Sequence, residues 1–281
     1  LLGDEPTGLA TGVHDNLHVK AVALSDGKDT VVIVGSDMLL VPPNVADGVR
    51  AAVAAKTPLT PNDILFGASH THDGPGAWGP GLAAFFTGGA YNPKVVEFLT
   101  VAFTNAVLDA YNSMAPAKMA HGEFDAEEFI RNRARNAPID ARLNYLVLEK
   151  ENGRKCVLVR YSAHPTTVGS RFLQFTAEFP GFLQLALEQS LPDTTVAYIG
   201  GSLGSSGPRA PEGPDDISRA QAMGVALAQK FLANVNMETL DWKTNVDVAS
   251  IGIPLQLPPF QLRVSQRLRL SPILPKLLGV P

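Results

Sequence analysis

Six histidines stand in this chain of 281 residues, and three of them fall where chemistry can be done. His70-Thr71-His72 follows the apolar run 64–68, and His164-Pro165 follows the apolar run 156–162. Alternate residues of an extended segment point the same way, so His70 and His72 can address one site. Neutral imidazole suits zinc, and a catalytic zinc keeps one position open for water. The same residues also fit polar strand ends bonded to backbone, and spacing alone leaves both readings open.

Other segments carry reactive types. Gly200-Gly201-Ser202-Leu203-Gly204 has the Gly-x-Ser-x-Gly form of a nucleophile elbow. That elbow needs a helix at once and a histidine downstream, yet turn-forming residues follow to Pro214 and no histidine comes after His164. A glycine-rich strand-to-loop turn is therefore expected. Arg131-Asn132-Arg133-Ala134-Arg135-Asn136 is a solvated basic loop or, beside a metal, a hold on a carboxylate or an oxyanion. Glu178 stands at a helix start, where the helix dipole favours an acid. Asp37 closes a strand, and Asp37 and Glu178 are candidates for fixing a histidine tautomer.

The elements that must position these groups alternate between strand and helix. Strands are expected at 21–24, 30–34, 63–68, 117–124, 143–149, 155–162, 194–199 and 244–254, and helices at 44–56, 92–113, 180–189 and 215–234. Thr30 to Val34 is a β-branched run of the kind buried on both faces. Val45, Val49 and Val53 recur at helical spacing, and Asn152-Gly153 between apolar runs signals a hairpin. Residues 73–91 read as a long loop whose Trp78, Leu82, Phe85 and Phe86 either cover an acyl chain or pack on the protein. Residues 260–270 alternate as a half-buried strand with a row of arginines on its polar side. The pattern predicts an α/β fold: mixed sheets, helices on their faces, and the site at the C-terminal ends of strands.

Composition narrows the classes. With 18% charged and 45% hydrophobic residues, the chain is not of the disordered type. A net charge of −4 argues against a nucleic-acid partner. No apolar run reaches the ~18 residues of a membrane span. A single cysteine, Cys156, excludes an intrachain disulfide framework and a multi-cysteine zinc site.

Taken in order, these segments resemble the neutral/alkaline (non-lysosomal) ceramidase family. Ala68-Ser69-His70-Thr71-His72-Asp73-Gly74-Pro75-Gly76 is close to its AxHTHSGPGG element, the most specific match. Gly12-Val13-His14-Asp15 resembles its GIHD, Gly35-Ser36-Asp37-Met38-Leu39 its SLDLLG, and Asn132-Arg133 its NR. Tyr161-Ser162-Ala163-His164-Pro165-Thr166 resembles FACHPT, and Thr176-Ala177-Glu178-Phe179-Pro180-Gly181 resembles SADYPGY with Glu for Asp. The resemblance implies a zinc ion held by His70 and His164, with His72 and Arg133 as active-site residues. It implies hydrolysis of an N-acyl amide, a ceramide-like or related acyl-amide lipid as partner, contact with a membrane surface, and a secreted or periplasmic location. Two departures stand out. The GDVSPN element falls on Gly204-Ser205-Ser206-Gly207-Pro208-Arg209, which puts Gly207 at the family's serine and leaves Ser205 and Ser206 as candidate stand-ins. The family's further zinc ligands, a Glu and a Tyr, find no match before Pro281, so residues 1–281 are expected to form one catalytic domain that lacks a C-terminal portion. The alternatives are hydrolysis of a different amide or ester on the same scaffold, and a non-catalytic binding protein.

Overall fold

The computed structural model of the protein describes residues 9–256; the expected strand at 260–270 lies outside the described residues. The elements run β1 (Gly12–Val13), β2 (Val19–Ser25), β3 (Thr30–Ser36), α1 (Pro43–Ala54), β4 (Ile64–Phe66), α2 (Leu82–Gly88), α3 (Pro93–Asn112), β5 (Ala117–Asp125), β6 (Ile130–Asn132), β7 (Arg142–Lys150), β8 (Lys155–Tyr161), β9 (Gln174–Phe175), α4 (Glu178–Ser190), β10 (Thr194–Gly200), β11 (Ser206–Pro208) and α5 (Asp216–Asn234). This is the mixed α/β architecture that the pattern predicts.

One sheet has the order β2-β3-β4. β3 is its centre, antiparallel to β2 and parallel to β4, with Val32 and Val34 wholly buried. A parallel neighbour requires a crossover. Helix α1 supplies it, seating Val45, Val49 and Val53 beside Phe103 and Val107 of α3 in one core. The second sheet has the order β10-β8-β7-β5. β7 and β8 form the Asn-Gly hairpin, with Gly153 at φ +84°, and β10 lies parallel to β8 after the α4 crossover. α4 and α5 cover this sheet and pack on each other closely. A Cβ on Gly224 would stand 2.7 Å from the Phe179 carbonyl oxygen.

The two sheets meet where glycine removes the side chain. A Cβ on Gly35 would lie 2.6 Å from the Tyr198 carbonyl oxygen, and one on Gly67 would lie 2.6 Å from Ile199 Cγ2. Beyond β4 the chain bonds to both sheets. Gly67 N–H and Ser69 N–H donate to Val34 and Ser36, and Gly200 N–H donates to Ala68 at 2.8 Å. The C-terminal ends of β4 and β8 are thus drawn together, and the site segments leave from there.

Several segments differ from expectation. The strand expected at 63–68 is regular only over Ile64–Phe66, because its continuation divides its bonds between β3 and β10. The loop at 73–91 contains α2. No strand forms at 244–254. Met119 bridges Lys243, the next residues lean on Asp26 and Asp63 through Val248 N–H and the Ser250 hydroxyl, and Ile251 and Ile253 are exposed. The short ribbons β1-β9 and β6-β11 lack a sequence signal because each strand has only two or three residues.

Candidate functional site

His70 leaves β4 with φ +72°, a left-handed conformation that costs a non-glycine residue about 1 kcal/mol or more. Its amide N–H donates to Met38 at 2.9 Å, and its Nδ1 lies 2.5 Å from the Leu39 carbonyl oxygen. His164 follows β8, is only 5% exposed, and sets its Nδ1 3.1 Å from the Leu203 carbonyl oxygen. A carbonyl only accepts, so each of these Nδ1 atoms carries the proton, and in the neutral ring Nε2 is the nitrogen with the lone pair. His72 brings its Nε2 to 3.0 Å from that of His164. The ring centroids are 4.6 Å apart for His70–His164, 5.2 Å for His70–His72 and 5.1 Å for His72–His164. One nitrogen from each ring lies within 4.8 Å of the others.

Burial, reinforced by the neighbouring imidazoles and the Arg133 guanidinium, pushes the His72 imidazole down to about 4. Burial is also the largest cause that lowers His164, with Arg133 and His70 adding to it. Both rings are therefore neutral at pH 7, which is the form that binds a metal. With a lone pair on His164 Nε2, the space toward His72 must hold a proton or a cation. Tetrahedral zinc at ~2.0–2.1 Å from its nitrogens sets them about 3.3 Å apart, the scale of this cluster. The residues present fit such an ion.

Arg133 is fixed beside the cluster by its backbone. Its N–H donates to Ser205 at 2.8 Å and its Nε to Gly204 at 3.4 Å. Residues 203–205 thereby join the two groups: the first carbonyl orients His164 and the next two hold Arg133. The Asn132 side chain shapes this bend by accepting from the amides of Ala134 and Arg135.

The remaining candidates stand elsewhere. Asp37 is 3% exposed and accepts from His18 N–H and from Gln184, so it orients neither His70 nor His164. Glu178, fully buried at φ +58°, accepts from the amides of Thr167, Val168 and Phe179. It braces the loop after His164 rather than any imidazole. Burial drives its carboxyl up to about 7 in spite of those three donors. The Ser206 hydroxyl is buried and turned onto the carbonyls of Ser162, Ser202 and Leu203, while Ser205 is exposed and offers its carbonyl to Arg133. No helix follows Ser202, and the elbow reading falls: β10 runs through a turn into β11. Trp78 is a core residue at 7% exposure, whereas Phe85 and Phe86 on α2 are exposed. Burial raises the Cys156 thiol to about 12, so it is inert.

Sequence reasoning missed three features. The carbonyls of Leu39 and Leu203 fix the imidazoles, and backbone groups leave no mark in side-chain motifs. Asp73 has a buried Oδ2 with no partner among the described residues. Its carboxyl is raised to about 7 by burial first, then by Glu178 and Asp15. The signal for it was available, since the family element has serine where this chain has Asp73.

Comparison with known proteins bears on these residues. No curated protein matches the chain. The crystal structure of neutral ceramidase from Pseudomonas aeruginosa superposes with a TM-score of 0.71 at 18% identity, over 78% of this chain and 39% of that one. A ceramidase complexed with C2 superposes with a TM-score of 0.73 at 17% identity, over 80% of this chain and 40% of that one. The chain thus spans about 40% of the length of these structures, and at such identity the likeness establishes the fold. The family described as neutral/alkaline non-lysosomal ceramidase, N-terminal, matches residues 5–190, a stretch that holds His70, His72, Arg133, His164 and Glu178. On that match the chain belongs to the neutral/alkaline non-lysosomal ceramidase family.

Proposed function

We propose that this protein is a zinc-dependent hydrolase of N-acyl amides, with ceramide-like lipids in its substrate class. One observation carries the reading: three imidazoles converge, with His72 and His164 kept neutral by burial and with His70 and His164 held by carbonyls that place the proton on Nδ1. Both structural neighbours bear the name ceramidase, and family membership supports the same chemistry. His70 and His164 would hold the ion, with His72 as the third nitrogen. Zinc bound there activates water and polarises the amide carbonyl. Arg133 holds the carbonyl oxygen as negative charge grows on it. The oxygen of water joins the acyl carbon, the C–N bond breaks, and the amine leaves with a proton from that water.

Zinc content and ceramide hydrolysis, measured together, test the proposal. About one zinc per chain is expected, removable by a chelator, with activity lost and then restored by zinc. His70→Ala should lose the metal and at least ~100-fold in rate. A folded protein that hydrolyses ceramide equally well without metal overturns the reading.

A further inference from the structure

Beside the imidazoles lies a cationic face with no counter-charge. β6 and β11 pair antiparallel with Arg131 opposite Gly207. Residues opposite each other share a side of the ribbon, and so do residues two apart. Arg131 and Gly207 therefore share one side, with Arg133 and Arg209 continuing it beyond the ribbon's ends. A Cβ on Gly207 would stand 3.5 Å from Arg133 Cβ, 3.6 Å from Arg133 Cδ and 3.8 Å from Arg131 Nε. The two arginines thus lean over Gly207 and cover it, brought together by the missing side chain. Arg131, Arg133 and Arg209 are exposed, and none forms an ion pair with any of the described residues. Side-by-side guanidinium groups repel, and an anion that bridges them removes that cost. Where the family element has an acid and an asparagine, this chain has Ser205 and Arg209, so the face is the more positive for it.

We propose that this face, floored by Gly207 and lined by Arg131, Arg133 and Arg209, binds a carboxylate on the amine side of the scissile amide, which makes N-acyl amino acids the favoured substrates. The placement follows from residues 203–205, which orient His164 through one carbonyl and anchor Arg133 through the next two. Scissile bond and anion are then neighbours, as they are when a carboxylate sits one carbon beyond the amide nitrogen. Water and an N-acyl amino acid give a fatty acid and a free amino acid. The inference rests on the amide-hydrolase reading for the reaction, but the anion site stands on its own geometry.

The test compares N-dodecanoylglycine with N-dodecanoylglycinamide, in which a neutral amide of nearly the same shape replaces the carboxylate. The wild type should favour the glycine conjugate in kcat/KM by roughly tenfold or more. Arg131→Gln and Arg209→Gln, both at exposed positions, should bring that ratio toward one, Arg131→Lys should restore part of it, and Ser205→Asp should lower it. Equal rates on the two compounds, or a ratio untouched in both glutamine variants, overturn the proposal. If neither compound is hydrolysed while ceramide is, the proposal is overturned; if ceramide is spared as well, the amidase reading fails, and calorimetry decides the anion site separately. Tighter binding of the glycine conjugate that is lost in Arg131→Gln supports the site, and equal affinities overturn it.

Discussion

Two arms deliver the imidazoles, and they are built differently. His164 continues β8, a seven-residue interior strand with Val157, Val159 and Tyr161 wholly buried, so the sheet places it. His70 and His72 follow β4, only three residues long, whose continuation is held by two backbone bonds to β3 and one to β10 and by the side-chain-free approach of Gly35 and Gly67. Backbone strain is divided in the same way. On the β4 arm it falls on the ligand itself, His70 at φ +72°; on the β8 arm it falls on the brace, Glu178 at φ +58°. A long strand can aim a side chain without distorting it. A short one reaches the same point only through an unfavourable conformation that its surroundings enforce.

The sharpest way to break this contrast is to remove one imidazole from each arm. His70→Asn and His164→Ala should each cost at least ~100-fold in activity, together with the metal. Their stabilities should diverge. Asparagine tolerates the left-handed region, so His70→Asn should unfold within ~1 kcal/mol of the wild type. His164→Ala empties a buried position and removes a donor from Leu203, for about 1–3 kcal/mol. Urea unfolding of the metal-free proteins measures both, and equal losses would mean that the strain at His70 has no energetic weight.

Next in size is a pair of glycines. Gly35→Ala drives a Cβ into the Tyr198 carbonyl, which is backbone and cannot turn aside. A loss of about 3 kcal/mol is expected, with weaker zinc binding as the β4 arm shifts. Gly207→Ala meets nothing closer than 3.5 Å and should cost less than ~0.5 kcal/mol. Unfolding midpoints of the two variants check this, and similar values would show that the crossing of the sheets is not what fixes the β4 arm.

The brace of the β8 arm carries a pH signature. The Glu178 carboxyl is raised from 4.5 to about 7, with burial the largest cause. The folded state therefore holds this proton more tightly than the unfolded one. Its contribution to stability is complete below about pH 4.5 and is lost as pH rises through about 7. Glu178→Gln should remove that slope. It should also cost about 1–2 kcal/mol at the acid end, because an amide NH2 would face backbone N–H groups. The gap between variant and wild type should close as pH rises. Parallel stability curves from pH 4 to 8 would show that this carboxyl does not titrate in the window.

The same contrast explains what could be read from the residues. β3, the β7–β8 hairpin and the long helices α3 and α5 were legible because periodicity repeats over several turns or pairs. His70, His72, Arg133 and His164 were legible because their types and strand-end positions are unusual, and the structure brings all four together. The supports were not. A tautomer fixed by Leu39 or Leu203 depends on a carbonyl that every residue possesses. Asp37 and Glu178 looked like partners for histidine by type, yet Asp37 accepts from the His18 amide and the Gln184 side chain, and Glu178 accepts from the amides of Thr167, Val168 and Phe179. The segment at 244–254 reads apolar and strand-like, yet it finds no neighbour to pair with among the described residues beyond the Lys243 bridge.

The smallest expected effect concerns the segment that leaves the β4 arm. Its Trp78 is in the core, so that ring is occupied with packing. Phe85 and Phe86 are 46% and 48% exposed, with ring centroids 5.8 Å apart, and they contribute little to the fold. Under the amide-hydrolase reading they offer exposed apolar surface to an acyl chain. Phe85→Ser should therefore change stability by less than ~0.5 kcal/mol. Losing roughly 1 kcal/mol of apolar contact with a long chain should lower the dodecanoyl-to-hexanoyl ratio of kcat/KM about fivefold. A short-chain substrate that does not reach the ring should be hydrolysed as before. If both chain lengths are affected equally, Phe85 acts through the position of the β4 arm, and the short arm is then sensitive to its own loop in a way the β8 arm, held by its sheet, is not.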